Sequence, residues 1–452
     1  MSDKATLPDP ARRTFLQATA AVVGASLAGS GSHAESAQNA QDPKPFAAPP
    51  ITEVRVGYVG VGGMGSAHVR NLLRIPGCRI TAVCDIDESR VALARKLITG
   101  AGQAEPAAYS RGPRDFERLC ETEDLDLVYT ATPWEWHVPV MRAAMKSGKH
   151  AATEVPAAMT LDDCWALVED AEKHRKHCVM MENCNYDRPE MMVFNMVRQG
   201  VFGEILHAEG GYLHDLREVK FSSRGEGLWR RAHAMKRNGN LYPTHGLGPV
   251  ANCMDINRGD RFEYLVSMSG PSRGLQLYAR EHFPEGSPQQ SERFTLGDVN
   301  VSLIRTARGR TIYVSHDTNL PRPYSRIHLV QGTRGLFQGY PDRVYVEGRS
   351  PEHRWEDIKT YLAQYDHPLW TDLTKNAEGA GHGGMDYLED YRLITCLREG
   401  LPTDMNVYDA AALSAVVHLS EQSNGRRSAP VDFPDFTRGR WKSLPPLGIV
   451  RA

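Results

Sequence analysis

The 452-residue chain lacks the features that mark several large classes of protein. Its formal net charge is only −2 at pH 7, so electrostatics give no reason to expect a nucleic-acid partner. Its eight cysteines are scattered without a C-x-x-C pair, which argues against a zinc cage and a disulfide framework. No histidine and carboxylate spacing matches a metal cage either. A hydrophobic content of 41% then predicts a soluble globular protein of about two domains, without a metal site.

Long hydrophobic runs are also absent, because the apolar stretch at residues 18–28 is too short to span a bilayer. It lies between Arg12-Arg13-Thr14-Phe15-Leu16-Gln17 and an A-x-A-like cleavage site at residues 32–34. This order resembles a twin-arginine signal, which exports folded proteins. We predict a twin-arginine signal peptide at residues 1–34, recognised by that export machinery, and a periplasmic or secreted protein without a permanent membrane anchor. The alternative is a disordered tail with two chance arginines.

A glycine-rich turn follows an apolar run and precedes a helical pattern: Val59-Gly60-Val61-Gly62-Gly63-Met64-Gly65. Gly60, Gly62 and Gly65 fit the G-x-G-x-x-G motif, in which the glycines allow a tight turn, close approach to a pyrophosphate and close helix packing. Roughly twenty residues later, the spacing expected of the acid that binds a ribose hydroxyl, a second apolar run ends at Asp85. This order predicts bound NAD rather than NADP, with Asp87 as the alternative acid.

Residues 35–50 are predicted to form a linker, and the pattern after them predicts the first domain. Apolar runs alternate with helical periods, which indicates βαβ units and a mostly parallel sheet. The runs lie at residues 55–59, 80–84, 125–130, 150–154 and 178–182, and the helical periods at 64–74, 89–97, 138–146 and 161–174. Residues 51–182 are therefore predicted to form an N-terminal Rossmann NAD-binding domain.

Residues 183–452 are predicted to form a C-terminal α+β domain for substrate binding and oligomerisation, so that the fold class is α/β. A helix near residues 189–199 precedes β-rich stretches at 205–212, 264–269, 300–304, 311–316, 327–331 and 344–347. These indicate an open, mostly antiparallel sheet with helices on one face, closed by a helix at 387–398 and a loop-rich tail. The polar segment 221–243 is expected to be a long functional loop.

The two-domain order resembles the Gfo/Idh/MocA group of NAD-dependent enzymes, and two departures matter. Dehydrogenases of that group have Glu-Lys-Pro after the fifth Rossmann strand, whereas this chain has Glu154-Val155-Pro156. They also pair an aspartate with a histidine four residues later, whereas Leu241 stands four residues before His245. The residues for an ordinary alcohol dehydrogenation are therefore incomplete.

Longer consecutive segments carry a closer resemblance. They are Trp134-Glu135-Trp136-His137, Glu154-Val155-Pro156 and residues 234–249, 257–261, 316–318, 381–387 and 433–439. Together they resemble glycoside hydrolase family 109, the NAD-dependent α-N-acetylgalactosaminidases, over nearly the whole mature chain. Besides Gly60 and Gly62 of the glycine motif, the resemblance implies NAD contacts at Met64, Gly65, Asp85, Trp134, His137, Glu154, Val155 and Asn183. It implies sugar contacts at Tyr212, Arg230, Tyr242, Pro243, Thr244, His245 and Tyr324.

The resemblance also implies the chemistry, which differs from the two-carboxylate mechanism of most glycosidases. A hydride leaves C3 of a terminal N-acetylgalactosamine for tightly bound NAD, which acidifies the C2 hydrogen. Loss of that proton expels the C1 substituent, water adds, and the hydride returns, so NAD is recycled. Such a cofactor suits export after folding, since NAD is made inside the cell.

Acid and base groups are required for this cycle. His245 is the first candidate, because imidazole titrates near neutral pH. Tyr186 is proposed as a second acid or base, because it lies just after the sixth Rossmann strand, and Tyr242 as a helper. His382 is a further candidate for the cavity wall. Each has a structural alternative, as a hydrogen-bonded turn histidine or a buried tyrosine.

Two other functions stay open at this stage. The first is a sugar or inositol dehydrogenase that consumes NAD stoichiometrically, against which the missing lysine counts. The second is a noncatalytic periplasmic sugar-binding protein with structural NAD. A homo-oligomer is possible, since related folds pair through their open sheet.

Overall fold

The computed structural model describes residues 44–452, which contain two β-sheets. The predicted signal peptide and residues 35–43 of the predicted linker lie outside the described residues. No helix among residues 44–452 is both long and apolar enough to cross a membrane.

The first sheet has six parallel strands in the order β3-β2-β1-β4-β5-β6. Its strands are β1 (Val54–Val59), β2 (Cys78–Cys84), β3 (Ala107–Tyr109), β4 (Leu127–Thr130), β5 (His150–Thr153) and β6 (Cys178–Met180). The helices that connect them are α1 (Gly63–Leu72), α2 (Glu88–Gly100), α3 (Asp115–Thr122), α4 (Trp134–Lys146) and α5 (Leu161–His174). This order is that of a Rossmann fold and confirms the predicted class.

The second sheet has nine strands in the order β14-β13-β12-β11-β7-β10-β9-β8-β15. Neighbouring strands are antiparallel except β7 and β10. The bounds are β7 (Ile205–Leu213), β8 (Phe262–Ser269), β9 (Val299–Thr306), β10 (Thr311–Asp317), β11 (Leu329–Gly332), β12 (Gly335–Gln338), β13 (Arg343–Val346), β14 (Glu356–Asp357) and β15 (Val431–Asp432). The mostly antiparallel sheet predicted from the sequence is confirmed.

Ten helices of the described chain follow β6. They are α6 (Arg188–Arg198), α7 (Arg217–Phe221), α8 (Gly227–Lys236), α9 (Thr244–Cys253), α10 (Gly274–His282), α11 (Pro288–Ser291), α12 (Lys359–Tyr365), α13 (Pro368–Ala377), α14 (Met385–Glu399) and α15 (Val407–Gly425). Short 3-10 helices occupy Asn183–Tyr186, Gly381–Gly384 and Arg440–Lys442. Helices α9 and α15 pack against the nine-stranded sheet.

Two predictions about this half are wrong. The segment 221–243, expected to be a loop, contains α8, and the tail expected to be loop-rich contains the 19-residue helix α15. Helix α15 lies between α5 and β8 and is buried on nearly every side. Its apolar residues therefore do not follow the one-sided period by which a surface helix is recognised.

Helix α14 covers the half of the Rossmann sheet that the connecting helices α1 and α2 leave open. Leu388 and Leu393 of α14 belong to the same buried cluster as Leu127 and Tyr129 of β4. On the adjoining face, α14 carries three buried acids, Asp386, Glu389 and Asp390, at i, i+3 and i+4. The C-terminal part of the chain thus completes the nucleotide domain and brings carboxylates to it.

Candidate active site

A cavity of about 710 Å³ opens at the carboxyl ends of the parallel strands, where ligands bind in this class of sheet. Most of the side chains predicted from the sequence line it. On the nucleotide side these are Gly60, Gly62, Met64, Asp85, Trp134, His137, Glu154, Val155 and Asn183, and on the sugar side Tyr212, Arg230, Tyr242 and His245. His382 also lines it. The cavity therefore joins both predicted sites in one space.

The glycine turn provides room for a pyrophosphate at the start of α1. Gly60 has a φ of +83°, and a Cβ there would lie 2.8 Å from the Ala131 carbonyl oxygen. A Cβ on Gly63 would meet no atom within 4 Å, so this part of the cavity stays free of side chains beside the first turn of the helix. Gly65 does not line the cavity: a Cβ there would lie 1.9 Å from the Gly60 carbonyl oxygen. It serves helix packing, as its place in the motif predicts.

Asp85 ends β2 at the edge of the cavity and also ties the turn together. Its Oδ2 accepts the N–H of Val61 at 2.9 Å, and its Oδ1 accepts the N–H of Asp87 at 3.0 Å. Arg90 lies next to Asp87 and faces the same cavity. The carboxylate is thus held rigidly where a ribose hydroxyl would reach it.

Trp134 and His137 begin α4 and form one wall. His137 lies with Nδ1 2.8 Å from the Pro156 carbonyl oxygen and Nε2 2.8 Å from that of Thr132. Burial lowers the pKa of His137, although the hydrogen bonds to the two carbonyl groups act to raise it. The neutral imidazole carries one N–H and donates it to one of these two carbonyl oxygens, and both ring nitrogens face the segments after β4 and β5 rather than a ligand.

Glu154 enters the cavity from the end of β5 with a buried relay behind it. His68 Nε2 lies 2.8 Å from Glu154 Oε1, and His68 Nδ1 lies 2.8 Å from Asp390 Oδ2. Burial favours the neutral imidazole, but Asp390 and Glu154 outweigh it and raise the pKa of His68. Burial likewise acts to raise the pKa of Glu154, but His68 outweighs it and lowers that pKa. The result is an ionised carboxylate at the position that follows β5.

His245 lies in the first turn of α9 with its side chain 13% exposed. Its Nδ1 lies 2.7 Å from Glu182 Oε1, which also accepts the N–H of Cys184 at 3.1 Å. An acceptor on that side favours the tautomer in which Nδ1 carries the hydrogen. The lone pair of Nε2 is then free to take a proton.

Two glycines of α9 let the helix pack closely enough to bury His245. A Cβ on Gly246 would lie 2.0 Å from the Gly211 nitrogen of β7, so the helix packs directly on the strand backbone. A Cβ on Gly248 would lie 2.8 Å from Asn185 Oδ1 and 2.9 Å from Glu182 Cγ. These two contacts set the distance between His245 and its carboxylate.

Aromatic rings surround the histidine on the sugar side. The ring of Tyr242 lies 4.8 Å from that of His245 and 4.5 Å from that of Tyr212, between centroids. The Arg230 guanidinium lies 4.9 Å from the Tyr242 ring and 5.1 Å from the Trp134 ring, close enough for cation–π attraction. Burial raises the pKa of Tyr212 to about 12, against the charge of Arg230. The tyrosines therefore keep their hydroxyl hydrogens and can donate them to a sugar.

His382 forms a second histidine–carboxylate pair at the mouth. Its Nδ1 lies 2.8 Å from Asp386 Oδ2, while Asp386 Oδ1 accepts from Asn183 Nδ2 at 2.7 Å. The side chain is 50% exposed, and its backbone is left-handed with a φ of +47°. The hydrogen bond to Asp386 raises the pKa of His382 against the effect of burial. This shift favours the protonated imidazole where His382 faces the cavity.

Several predicted residues lie elsewhere. Tyr186, proposed as an acid or base, does not line the cavity: its hydroxyl donates to Asp404 Oδ2 at 3.0 Å. The 3-10 helix after β6 turns the tyrosine ring away from the sheet edge. Pro243 precedes α9, and Thr244 is fully buried within it, so neither side chain lines the cavity. Tyr324 stands behind Tyr212, with 6.1 Å between the ring centroids.

Three residues at or next to this cavity were not predicted from the sequence. His214 lines the cavity two residues beyond Tyr212, and its Nδ1 lies 3.0 Å from the Tyr212 hydroxyl. The alternation of a strand, which places i and i+2 on one face, could have revealed it. His68 and Glu182 act from behind other side chains, and the sequence holds no signal for such contacts.

Glu182, Cys184 and His245 bring ligand atoms within 4.8 Å of one another. The Glu182 oxygen already accepts two hydrogen bonds, and burial raises the pKa of the Cys184 thiol well above its usual value. A thiol that keeps its proton is a poor metal ligand. We interpret the cluster as a hydrogen-bonded unit, and the expectation that the site holds no metal stays a prediction.

Comparison with known proteins assigns this architecture. A family model described as "Oxidoreductase family, NAD-binding Rossmann fold" matches residues 54–182, and one described as "Glycosyl hydrolase 109, C-terminal domain" matches residues 186–443. A glycosyl hydrolase family 109 protein of Shewanella amazonensis is 49% identical over 449 residues, which cover 97% of this chain and 99% of that protein.

Solved structures share the fold at low identity. A levoglucosan dehydrogenase in complex with NADH and L-sorbose superimposes with a TM-score of 0.66 at 19% identity, covering 85% of this chain and 100% of that one. An apo scyllo-inositol dehydrogenase from Lactobacillus casei superimposes with a TM-score of 0.60 at 12% identity, covering 84% of this chain and 98% of that one. The match to the NAD-binding family and the fit of the glycine turn identify NAD as the cofactor. The chain belongs to glycosyl hydrolase family 109 and is an NAD-dependent enzyme of that family.

Proposed function

We propose that the protein hydrolyses terminal α-N-acetylgalactosamine residues by an oxidation, elimination, hydration and reduction cycle that regenerates its NAD in place. The observation that carries the proposal is the presence of three proton-transfer groups on one cavity: His245, His382 and Glu154. Each is backed by a buried partner. Hydride transfer alone needs one such group, whereas cleavage of a glycosidic bond by this route needs several.

NAD, when bound, supplies an acceptor and later a donor of hydride at C3 of the sugar. We assign Glu154 to accept the proton of the 3-hydroxyl, because it is an ionised carboxylate with His68 behind it. His245 takes the C2 proton through Nε2, while Glu182 stabilises the positive charge that develops on the ring. A base at C2 is required because the C3 ketone makes that hydrogen acidic.

His382 serves as the acid for the leaving group. It stands at the mouth, where the departing part of a glycan has room, and it holds its proton through Asp386. We assign Tyr212, Tyr242 and Arg230 to bind the sugar ring and its acetamido group. Residues of α7 and α8 line the same cavity, and we assign them to shield the unsaturated intermediate from bulk water.

The test uses the purified protein with p-nitrophenyl α-N-acetylgalactosaminide and no added nucleotide, in deuterated water. We expect many turnovers, no net NADH, and deuterium at C2 of the released sugar. Matched substrates, the β-anomer and the α-galactoside without the acetamido group, report the linkage and the role of that group. One turnover that leaves NADH would instead indicate the stoichiometric dehydrogenase, and binding without turnover the sugar-binding protein.

We also propose export by the twin-arginine pathway, which rests on the sequence of residues 12–34. All eight cysteines are buried and unpaired, which suits a protein that folds in a reducing compartment before it is exported. Replacement of Arg12 and Arg13 by lysine should leave the full-length protein in the cytoplasm, as measured by cell fractionation. Unchanged export would remove the arginine pair from the signal.

A further inference from the structure

A small cavity of about 20 Å³ is lined by Glu182 but not by His245. Its wall is formed by the end of β6, the following 3-10 helix, α14 and residues 403–405. Four residues of this wall carry five buried polar atoms that have no hydrogen-bond partner within residues 44–452: Glu182 Oε2, Asn185 Oδ1, Glu389 Oε1, Glu389 Oε2 and Thr403 Oγ1.

So many unpaired polar atoms around one cavity point to a ligand that can bond to several of them. Buried polar groups without partners are costly, and Glu182 and Glu389 are 1% and 3% exposed. A cavity needs about 10–15 Å³ to hold one water molecule, which then makes two to four hydrogen bonds. Both the volume and the polar wall match a single water.

The hydrogen count favours a protonated Glu389. A water and the Thr403 hydroxyl supply three hydrogens for four carboxyl and amide oxygens, and a protonated Glu389 would supply a fourth. Burial raises the pKa of Glu389 well above its usual value, with His68 opposing and Asp390, Glu154 and Asp386 reinforcing. Glu389 is thus the neutral acid, which leaves Glu182 as the acceptor for His245.

We propose that a water in this cavity links neutral Glu389 to Glu182 Oε2, and that this chain holds His245 in the tautomer whose Nε2 faces the catalytic cavity. Glu389 is then a positioning residue that acts through Glu182, since it does not line the catalytic cavity. A neighbouring cavity of about 40 Å³ shares Asn185, Tyr186 and Asp404 with this one and reaches Leu447 and Val450 of the C-terminal tail, which gives water a route from the surface.

The inference rests on the proposed function for its kinetic consequence, but its main test does not need activity. The NAD-loaded protein is labelled with ¹⁵N-histidine, and the His245 imidazole signals are identified by their loss in His245→Ala. Glu389→Gln keeps a hydrogen-bond donor and should leave these signals unchanged. Glu389→Leu removes it and should move them toward the values of a tautomer mixture. Glu399→Gln and Glu399→Leu, at an exposed position of the same helix, control for the substitutions.

Kinetics provide the second measurement on the same variants. We expect Glu389→Leu to lower kcat about tenfold with little change in KM, as loss of an oriented base does. The same variant should shift the acidic limb of the pH profile. In Glu389→Gln, kcat should stay within about twofold of the wild-type value. Thr403→Val removes one donor from the same water and should move the His245 signals in the same direction by less, which keeps the test available if Glu389→Leu does not fold.

The outcomes separate the two proposals. The inference would be overturned if the His245 signals stayed at their wild-type positions in both Glu389→Leu and Thr403→Val. It would also be overturned if Glu389→Gln moved these signals as far as Glu389→Leu does. If the wild-type protein has no glycosidase activity but its His245 signals respond to the Glu389 substitutions as expected, only the proposed function is overturned.

Discussion

His245 and His382 use the same chemical pairing in opposite surroundings. Each presents Nδ1 to a buried carboxylate, at 2.7 Å from Glu182 and 2.8 Å from Asp386. The first side chain is 13% exposed in a helix packed by glycines, whereas the second is 50% exposed in a left-handed turn followed by Gly383 and Gly384.

The difference matches the demands of the two proposed steps. A base that removes a carbon-bound proton must hold a fixed geometry, because an error of about 1 Å costs a large part of the rate. An acid at the mouth must serve leaving groups of different shapes, so a less constrained side chain suits it. The inner pair is thus built for precision and the outer pair for access.

The largest effect is expected from His245→Ala, which should reduce kcat/KM by about 10²-fold or more, as loss of a general base does. In a single turnover the variant should still reduce its NAD while C2 takes up no deuterium, since only the proton transfer is lost. Tyr186→Phe is the control, because that hydroxyl faces Asp404 outside the cavity. A near-normal rate in His245→Ala, or a loss as large in Tyr186→Phe, would contradict the assignment.

His382→Gln should have the next largest effect, and its size should depend on the leaving group. With a methyl or glycan leaving group we expect a decrease of about tenfold or more, and with p-nitrophenolate, which departs without help, about twofold. The raised pKa of His382 means that the group is charged at low pH and loses its proton as pH rises through that value. The wild-type rate on alkyl glycosides should therefore fall on the alkaline side, and the variant should lack that limb. Equal losses on both substrates would remove His382 as the acid.

Gly248→Ala should weaken the inner pair without touching the substrate. The new methyl would press on Asn185 and Glu182 and move the carboxylate from His245, with an expected decrease in kcat of about fivefold and a cost of about 1–3 kcal/mol from overpacking. Thermal unfolding and kcat are the measurements. Gly100→Ala, where a Cβ meets nothing within 4 Å, is the matched control, and a wild-type rate in Gly248→Ala would show that the packing does not set the pair.

Gly383→Ala should have the smallest effect. Its φ is +72° and a Cβ there meets no atom within 4 Å, so only backbone strain of about 1–2 kcal/mol is expected. Since His382 tolerates a loose turn, activity should stay within about twofold. A loss as large as that of Gly248→Ala would mean that the outer pair is as tightly constrained as the inner one.

The fold and the nucleotide half could be predicted because they depend on local order. Strand, glycine turn, helix and Asp85 follow one another within about thirty residues, and each part carries its own pattern. Helix α15 was missed since its burial on every side removes the apolar period. The short strand Ala107–Tyr109 was missed because three residues hold too little alternation.

The proton-transfer pairs could be predicted only in part. His245 and His382 were visible as residues of matched segments, but their partners Glu182 and Asp386 were not identified, because pairing depends on how α9 and α14 dock. Tyr186 was misplaced for the same reason. Position after a strand indicates the sheet edge, whereas the direction of a side chain there is decided by the next turn.

The acidic face of α14 lies next to all three proposed proton-transfer sites: Asp386 contacts His382, Asp390 contacts His68 behind Glu154, and Glu389 lines the small cavity beside Glu182. If the proposed mechanism holds, a shift of this one helix should impair oxidation, elimination and leaving-group departure together. Substitutions of the α14 acids that change the enzyme's pH optimum should therefore also alter its substrate range. Variants that change only one of these two properties should be sought among the histidines that the acids contact.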